Sequence, residues 1–363
     1  MPFDRGSFTV SVFQLPNQLP ENLIELFAAK RAGKLDHIKE EAVYGWTSGR
    51  TLLETDIDEE SAIRGGHIYL YLRKAERKIP SSLFNAICQR EELVYMRANE
   101  FDIVSSKVRR DIKAQVMEAN LAKMAPSISG TPMVIDLNAK LLYVGTGSVT
   151  QLDNFISFFF KTTNIEPYQL QPGLMLEEMF QCTERDLPEV MFAGVQDDLA
   201  PGRDFLTWLW YFSECDGGRI SHEQFGDFDI MIEGPLTFSF VSEAKGAAET
   251  TLKKGGSPLR AAEAKAALIV GKRLKKAKFT LCRANEIWTG GIDADNFSFN
   301  SLTLPEGEEI DAASVFAERM QNLFIFQSII REYFRKFAEN VRGMDWAETE
   351  KKIQKWASER DSF

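Results

Sequence analysis

Met133-Val-Ile-Asp136 and Leu141-Leu-Tyr-Val144 stand on either side of an Asn138 turn, and Val149 to Phe160 follows almost at once as a strongly apolar stretch. Two short apolar runs around an Asn turn read as a hairpin, and twelve mostly apolar residues after them read as a buried helix. Upstream, Phe8 to Phe13 alternates and predicts a first strand, and Pro20 to Lys34, with Leu23, Ile24, Leu26 and Phe27 inward and Gly33 as its stop, predicts a helix. The chain turns at Gly45-Trp46, His67 to Arg73 reads as a second strand, and Pro80-Ser81-Ser82 opens a helix through Arg90. A polar helix from Ser105 to Lys123 carries only the narrow stripe Val108, Ile112, Val116 and Ala119, as in a helix that projects from the body. This β-α-β-β-α texture predicts an α+β unit over residues 1–170.

Beyond the punctuation at Pro167, Pro172 and Gly173, the run Phe205 to Phe212 is apolar on both faces and reads as a buried element rather than a platform for stacked bases. Strands are predicted at Phe228–Ile232 and Leu236–Val241, joined at Gly234-Pro235, then an alanine-rich helix from Leu259 to Lys276 and strands at Lys278–Cys282 and Phe297–Leu304. Ala312 to Val341 repeats apolar residues at helical spacing, and the residues from Met344 on read as a polar helix or tail. The expected divisions are therefore 1–170, a second α+β domain over 171–310, and a helical segment over 311–363. The fold class is α+β, with mixed antiparallel sheets and packed helices.

The chain has 363 residues, 44% hydrophobic and 26% charged, a folded globular composition. Its longest apolar stretch is far short of a bilayer span, and the opening residues lack the pattern of a signal peptide, so a cytoplasmic protein is expected. Cys88, Cys182, Cys215 and Cys282 form no Cys-x-x-Cys pair, and His37, His67 and His222 sit in no zinc-binding pattern.

Charge is segregated. The net charge is −10, yet Lys253, Lys254, Arg260, Lys265, Lys272, Arg273, Lys275, Lys276 and Lys278 face only Glu263 over one stretch, a surplus of eight cations. Arg73, Lys74, Arg77 and Lys78 against Glu76 add three more. A surface of solvated lysines would do for an isolated run. Two one-sided clusters on an otherwise acidic chain instead favour a polyanion as neighbour, because like charges at close spacing repel.

Catalytic patterns are sparse. Gly271-Lys272 lacks the leading glycine and the following Ser or Thr of a phosphate loop, Gly145-Thr-Gly147-Ser lacks a third glycine, and no Gly-x-Ser-x-Gly elbow is present. One arrangement offers an enzyme alternative: Asp229 with Glu243-Ala-Lys245 has the spacing of a Mg²⁺-dependent nuclease, two carboxylates for metal and a lysine for the attacking water. A third possibility is an adaptor whose basic patches meet an acidic protein.

Gly45-Trp46, Arg73-Lys-Ala-Glu-Arg-Lys-Ile-Pro80, the helix around Val108 to Leu121 leading into Met133-Val-Ile-Asp136, Ala266-Ala-Leu-Ile-Val-Gly-Lys272 and the strand Phe279 to Cys282 occur in an order that resembles the recombination-associated RdgC family of bacteria. The resemblance runs over roughly residues 8 to 310. It implies a non-catalytic, cofactor-free DNA-binding protein of the nucleoid, whose two horseshoe-shaped, multi-domain subunits close as a homodimer around duplex DNA, with single strands as the lesser alternative. It also implies restraint of the RecA recombinase. The residues expected at DNA are Arg73, Lys74, Arg77, Lys78, Lys253, Lys254, Arg260, Lys272, Arg273, Lys275 and Lys276, and the helix near Lys107 to Lys123 is expected at a subunit contact.

Overall fold

A computed structural model describes residues 3–38, 41–188, 198–242, 249–253, 262–307 and 311–359. Its centre is one 13-stranded antiparallel sheet, which with ten α-helices among the described residues makes the chain α+β as the sequence predicts.

The strands are β1 (Phe8–Gln14), β2 (Val43–Ser48), β3 (Ile63–Arg64), β4 (His67–Arg77), β5 (Pro126–Asp136), β6 (Leu141–Val144), β7 (Tyr168–Gln169), β8 (Arg219–His222), β9 (Gly226–Ser239), β10 (Thr250–Leu252), β11 (Arg273–Arg283), β12 (Glu286–Asp293) and β13 (Ser298–Thr303). They run across the sheet in the order β10-β9-β11-β12-β13-β1-β6-β5-β4-β2, with β3, β7 and β8 added beside β4, β1 and β9.

Strand β1 joins the two halves. Phe8 and Val10 pair with Leu302 and Phe299 of β13, whereas Ser11 to Gln14 pair with Val144 to Leu141 of β6. The sheet therefore passes without a break through the division expected near residue 170. The hairpin that decides the fold is closed by Asp136, whose Oδ1 accepts the N–H groups of Asn138 and Ala139, both at 2.9 Å.

Each half of the sheet is covered by helices for a reason legible in its alternation. On one side, Phe13, Trp46, Leu70, Leu72, Met133 and Leu142 point at α1 (Leu23–Ala29) and α5 (Val149–Thr163). Trp46 is wholly buried there against Phe27, Phe155 and Phe159. On the other side, Val10, Val12, Tyr69 and Tyr143 continue into the core over β9, β11, β12 and β13, beneath α6 (Pro172–Phe180), α7 (Pro201–Cys215), α8 (Ala262–Ile269), α9 (Ala312–Arg342) and α10 (Trp346–Ser358). Helix α7 contains the aromatic run and is buried all round, because it is sandwiched between the sheet and the α9–α10 layer. Helix α9 is capped by Asp311, whose carboxylate accepts from Ala313 and Ser314 N–H.

A third, small cluster stands apart. Helices α3 (Ser81–Asn99) and α4 (Ser106–Leu121) form a helical hairpin on the end of the β4–β5 ladder, held by Cys88, Val104, Ile112 and Val116. Val108, Ile112 and Val116 of the narrow stripe form its inner seam, whereas Ala119 is exposed. The remaining element is the short α2 (Glu59–Ala62), with a capping box from Asp58 and Ser61.

Three expectations are corrected: the first is the turn at Gly45-Trp46, which lies within β2 in register with Arg73 and Leu72 of β4. The strands placed on either side of Gly234-Pro235 are one strand, β9, whose register with β11 shifts there. The alanine-rich helix stops at Ile269, and Arg273 to Lys276 belong to β11, because Arg273 and Leu274 are drawn under α7.

Candidate nucleic-acid interface

The expected cationic residues divide into three groups. Lys254 and Arg260 lie outside the described residues, as do Glu243 and Lys245 of the nuclease alternative.

The second group is committed inside the fold. Arg73 is only 3% exposed, and its guanidinium donates to the Leu52 carbonyl at 3.1 Å and to the Gly33 carbonyl. Burial pulls its pKa down. Arg273 is 5% exposed and forms a 2.5 Å ion pair with Asp204, both side chains sealed beneath α7. Arg77 donates to the carbonyls of Ile38, Ala122 and Met124, fastening the hairpin's base to the sheet. The placement of Arg73 and Arg273 among DNA-facing residues is therefore corrected: a buried position where loop carbonyls or a carboxylate converge takes guanidinium as a structural donor set, whereas Arg77 is only half-buried. Lys275 sits 3.6 Å from both Glu249 and Asp295, beside the bidentate Arg203–Asp295 pair at 2.5 and 2.8 Å. Burial alone would raise the pKa of Asp295, but Arg203 outweighs it and holds the carboxyl low.

The third group reaches solvent. Lys78 and Lys253 are exposed at the ends of β4 and β10. Lys272 donates to Thr250 Oγ1 at 2.6 Å and lies over the Phe240 ring at the sheet's edge. Lys74 and Lys276 lie on the side of the sheet that carries α1 and α5.

Over β9, β11, β12 and β13 that side is covered by none of the described helices, and register sets out its rows. Glu233, Lys278, Gly291 and Asn300 stand side by side across four strands, and so do Met231, Thr280, Thr289 and Thr303. Lys276 is aligned with Asp293 and Ser298. Inward neighbours Ala277, Phe279, Ile292 and Leu281 are all buried, so alternation holds the lysines and threonines outward.

This open face runs up to the start of α5. A side chain on Gly147 would touch Ser298 Oγ, Asn300 Oδ1 and Thr9 Cγ2, so the loop into α5 lies directly on the row that begins at Lys278. On the far side of the same helical turn, Lys74, Tyr44, Ser129, Thr131, Gln151 and Asn154 line a shallow cleft. The result is a polar strip from β9 to β4, past the first turn of α5. Seven strand spacings make it about 34 Å long, close to one turn of B-form DNA.

The strip is not strongly positive. Lys276 Nζ is 2.8 Å from Asp293, Lys74 Nζ is 2.6 Å from Glu76, and Lys278 lies opposite Glu233, which accepts from Thr280 Oγ1 at 2.9 Å. Asp229 of the nuclease alternative is held at both oxygens by Arg219, at 2.8 and 2.9 Å, and this pairing depresses its pKa. The residues that charge counting passed over are Lys278 as a site member and the neutral groups Asn300, Thr280, Thr289 and Gln151; cross-strand register is the signal that unites them.

Over β9, β11, β12 and β13 the sheet presents a polar face that none of the described helices covers, an open surface rather than an enclosed pocket. Residues 9–175 match the family model described as "Putative exonuclease, RdgC". Over that stretch the chain is similar to the RdgC family. No curated protein matches it. Among the described residues no helix is long and apolar enough to cross a membrane.

Proposed function

We propose that this protein binds duplex DNA without sequence preference along the polar strip, without cutting it, and in doing so restrains RecA-dependent recombination. The observation that carries the reading is the strip itself: hydroxyl, amide and ammonium groups in register across the uncovered face of β9, β11, β12 and β13, followed past the first turn of α5 by the cleft at Lys74. Such groups contact phosphate and sugar, which position a duplex but hold no sequence information. The match of residues 9–175 to the RdgC family model supports the link to recombination.

A homodimer is part of the proposal. Leu83, Leu93, Val94, Phe101 and Ile103 of the α3–α4 hairpin are exposed, Ile103 at 80%, and a projecting element with apolar outer residues suits contact with a second copy.

The test is duplex binding at two salt concentrations with solution mass measured alongside. Six phosphate contacts would give a loss of about a thousandfold or more between roughly 50 and 200 mM salt. Absent or salt-independent binding overturns the proposal. The family description names an exonuclease, so the same oligonucleotide, end-labelled, is incubated with Mg²⁺ and Mn²⁺; shortening that Asp229→Asn abolishes would replace the non-cutting reading.

A further inference from the structure

Two cations of the strip, Lys276 and Lys74, are already occupied by carboxylates, and the two pairs differ in kind. Lys276 is half exposed, whereas the side chain of its partner Asp293 is 7% exposed and accepts the Asp295 N–H at 3.1 Å as well. Asp293 therefore cannot swing away. Lys74 and Glu76 are each about one-third exposed, at 35% and 36%, and both side chains can reorient in water.

We propose that Asp293 and Glu76 are built-in competitors for phosphate: they hold the strip near electroneutrality, and removing their charge tightens its grip on a polyanion. This rests on the duplex-binding reading above. A phosphate reaching the free protons of Lys276 approaches a fixed carboxylate directly behind the ammonium, and the repulsion subtracts from the attraction. At Glu76 the same opposition exists, but solvent and salt screen it. Both lysines are held more firmly protonated by these partners, as expected when an acceptor sits on the ammonium. The device limits affinity without altering shape. A protein meant to move along DNA or be displaced from it gains from contacts that are each partly opposed.

The amide variants keep the acceptor and lose the charge. Duplex anisotropy titrations compare wild type with Asp293→Asn, Glu76→Gln, Lys276→Ala, Lys74→Ala and the double variant Asp293→Asn/Lys276→Ala. Asp293→Asn is expected to bind about three- to tenfold tighter at roughly 50 mM salt and to keep most of that gain at roughly 200 mM, because its charge is buried. Glu76→Gln is expected to gain only about two- to threefold and to converge on wild type at the higher salt. The double variant binds no tighter than Lys276→Ala. If both amide variants bind as wild type or more weakly while the lysine variants lose affinity, the competitor role is overturned and duplex binding stands. If wild type and the lysine variants bind alike, the strip is not the DNA surface and both fall. Melting curves accompany each variant; Glu76 lies in a surface pair, so Glu76→Gln decides the question if Asp293→Asn is poorly folded.

Discussion

Gly45 and Arg273 show how single residues hold this architecture. Gly45 sits in β2 where any side chain would collide with the backbone of Ala32, because residues 30–32 dock on the strand through Ala32 N–H to Trp46 O at 2.8 Å and Trp46 N–H to Lys30 O at 3.0 Å. Gly45→Ala is expected to cost about 1–3 kcal/mol in urea unfolding, the usual penalty for forcing atoms into a filled site. Arg273→Ala would leave Asp204 sealed under α7 without its guanidinium, with an expected loss of about 3–5 kcal/mol, whereas Lys278→Ala on the open face should leave stability within about 0.5 kcal/mol of wild type. The contrast, read from melting curves, separates buried from surface members of one basic run. Sequence could not separate them. Arg73 and Arg273 look like their neighbours in a charge count, and the carbonyls of Gly33 and Leu52 and the carboxylate of Asp204 that claim them lie 21 to 69 residues away.

Among the elements, those with one buried face were legible: β1, the β5–β6 hairpin, α5 and α9 follow from alternation or helical spacing, with β4, β5 and α3 longer than predicted. Elements whose pattern is interrupted were not. Strand β2 contains Gly45, which reads as a turn, β12 contains Gly290-Gly291, and the alanine-rich run before β11 carries its helical propensity past the point where burial of Leu274 enforces a strand. One contact between elements should respond to pH. His67, at the start of β4, lies 3.7 Å from Asp136 and donates Nδ1–H to the Gly65 carbonyl at 2.8 Å, with Phe316 of α9 packed edge-on against its ring. Burial alone would lower its pKa, but Asp136 and the carbonyl outweigh that and raise it above 6.5. A raised imidazole contributes stability that is fully present below its unfolded pKa and is lost as pH rises through the folded one. Wild type should therefore lose more melting temperature than His67→Gln between about pH 6 and 8.5. Asp136, depressed by the same pair although burial opposes it, works in the opposite direction and loses its contribution only under acid conditions.

At the scale of the molecule, the strip joins residues from β4 to β11 that no single segment contains, which is why a charge count along the chain does not separate its exposed lysines from the buried Arg73 and Arg273. Replacing Lys74, Lys276 and Lys278 together with alanine is expected to lower the slope of log affinity against log salt by up to about 2.7, at about 0.9 per lost contact, and an unchanged slope would show that phosphate is met elsewhere. The shared strand β1 has a further implication. Residues 9–175 match a family model, yet Phe8 and Val10 form their ladder with β13, and the Val10, Tyr69 and Tyr143 face is roofed partly by α9. Expressed alone, that stretch would carry an unzipped strand margin and half a greasy interior open to water, and should clump or recruit other chains. Supplying residues 198–363 as a separate polypeptide ought to rescue it by complementation, so the unit of inheritance that the match marks out is smaller than the unit that folds.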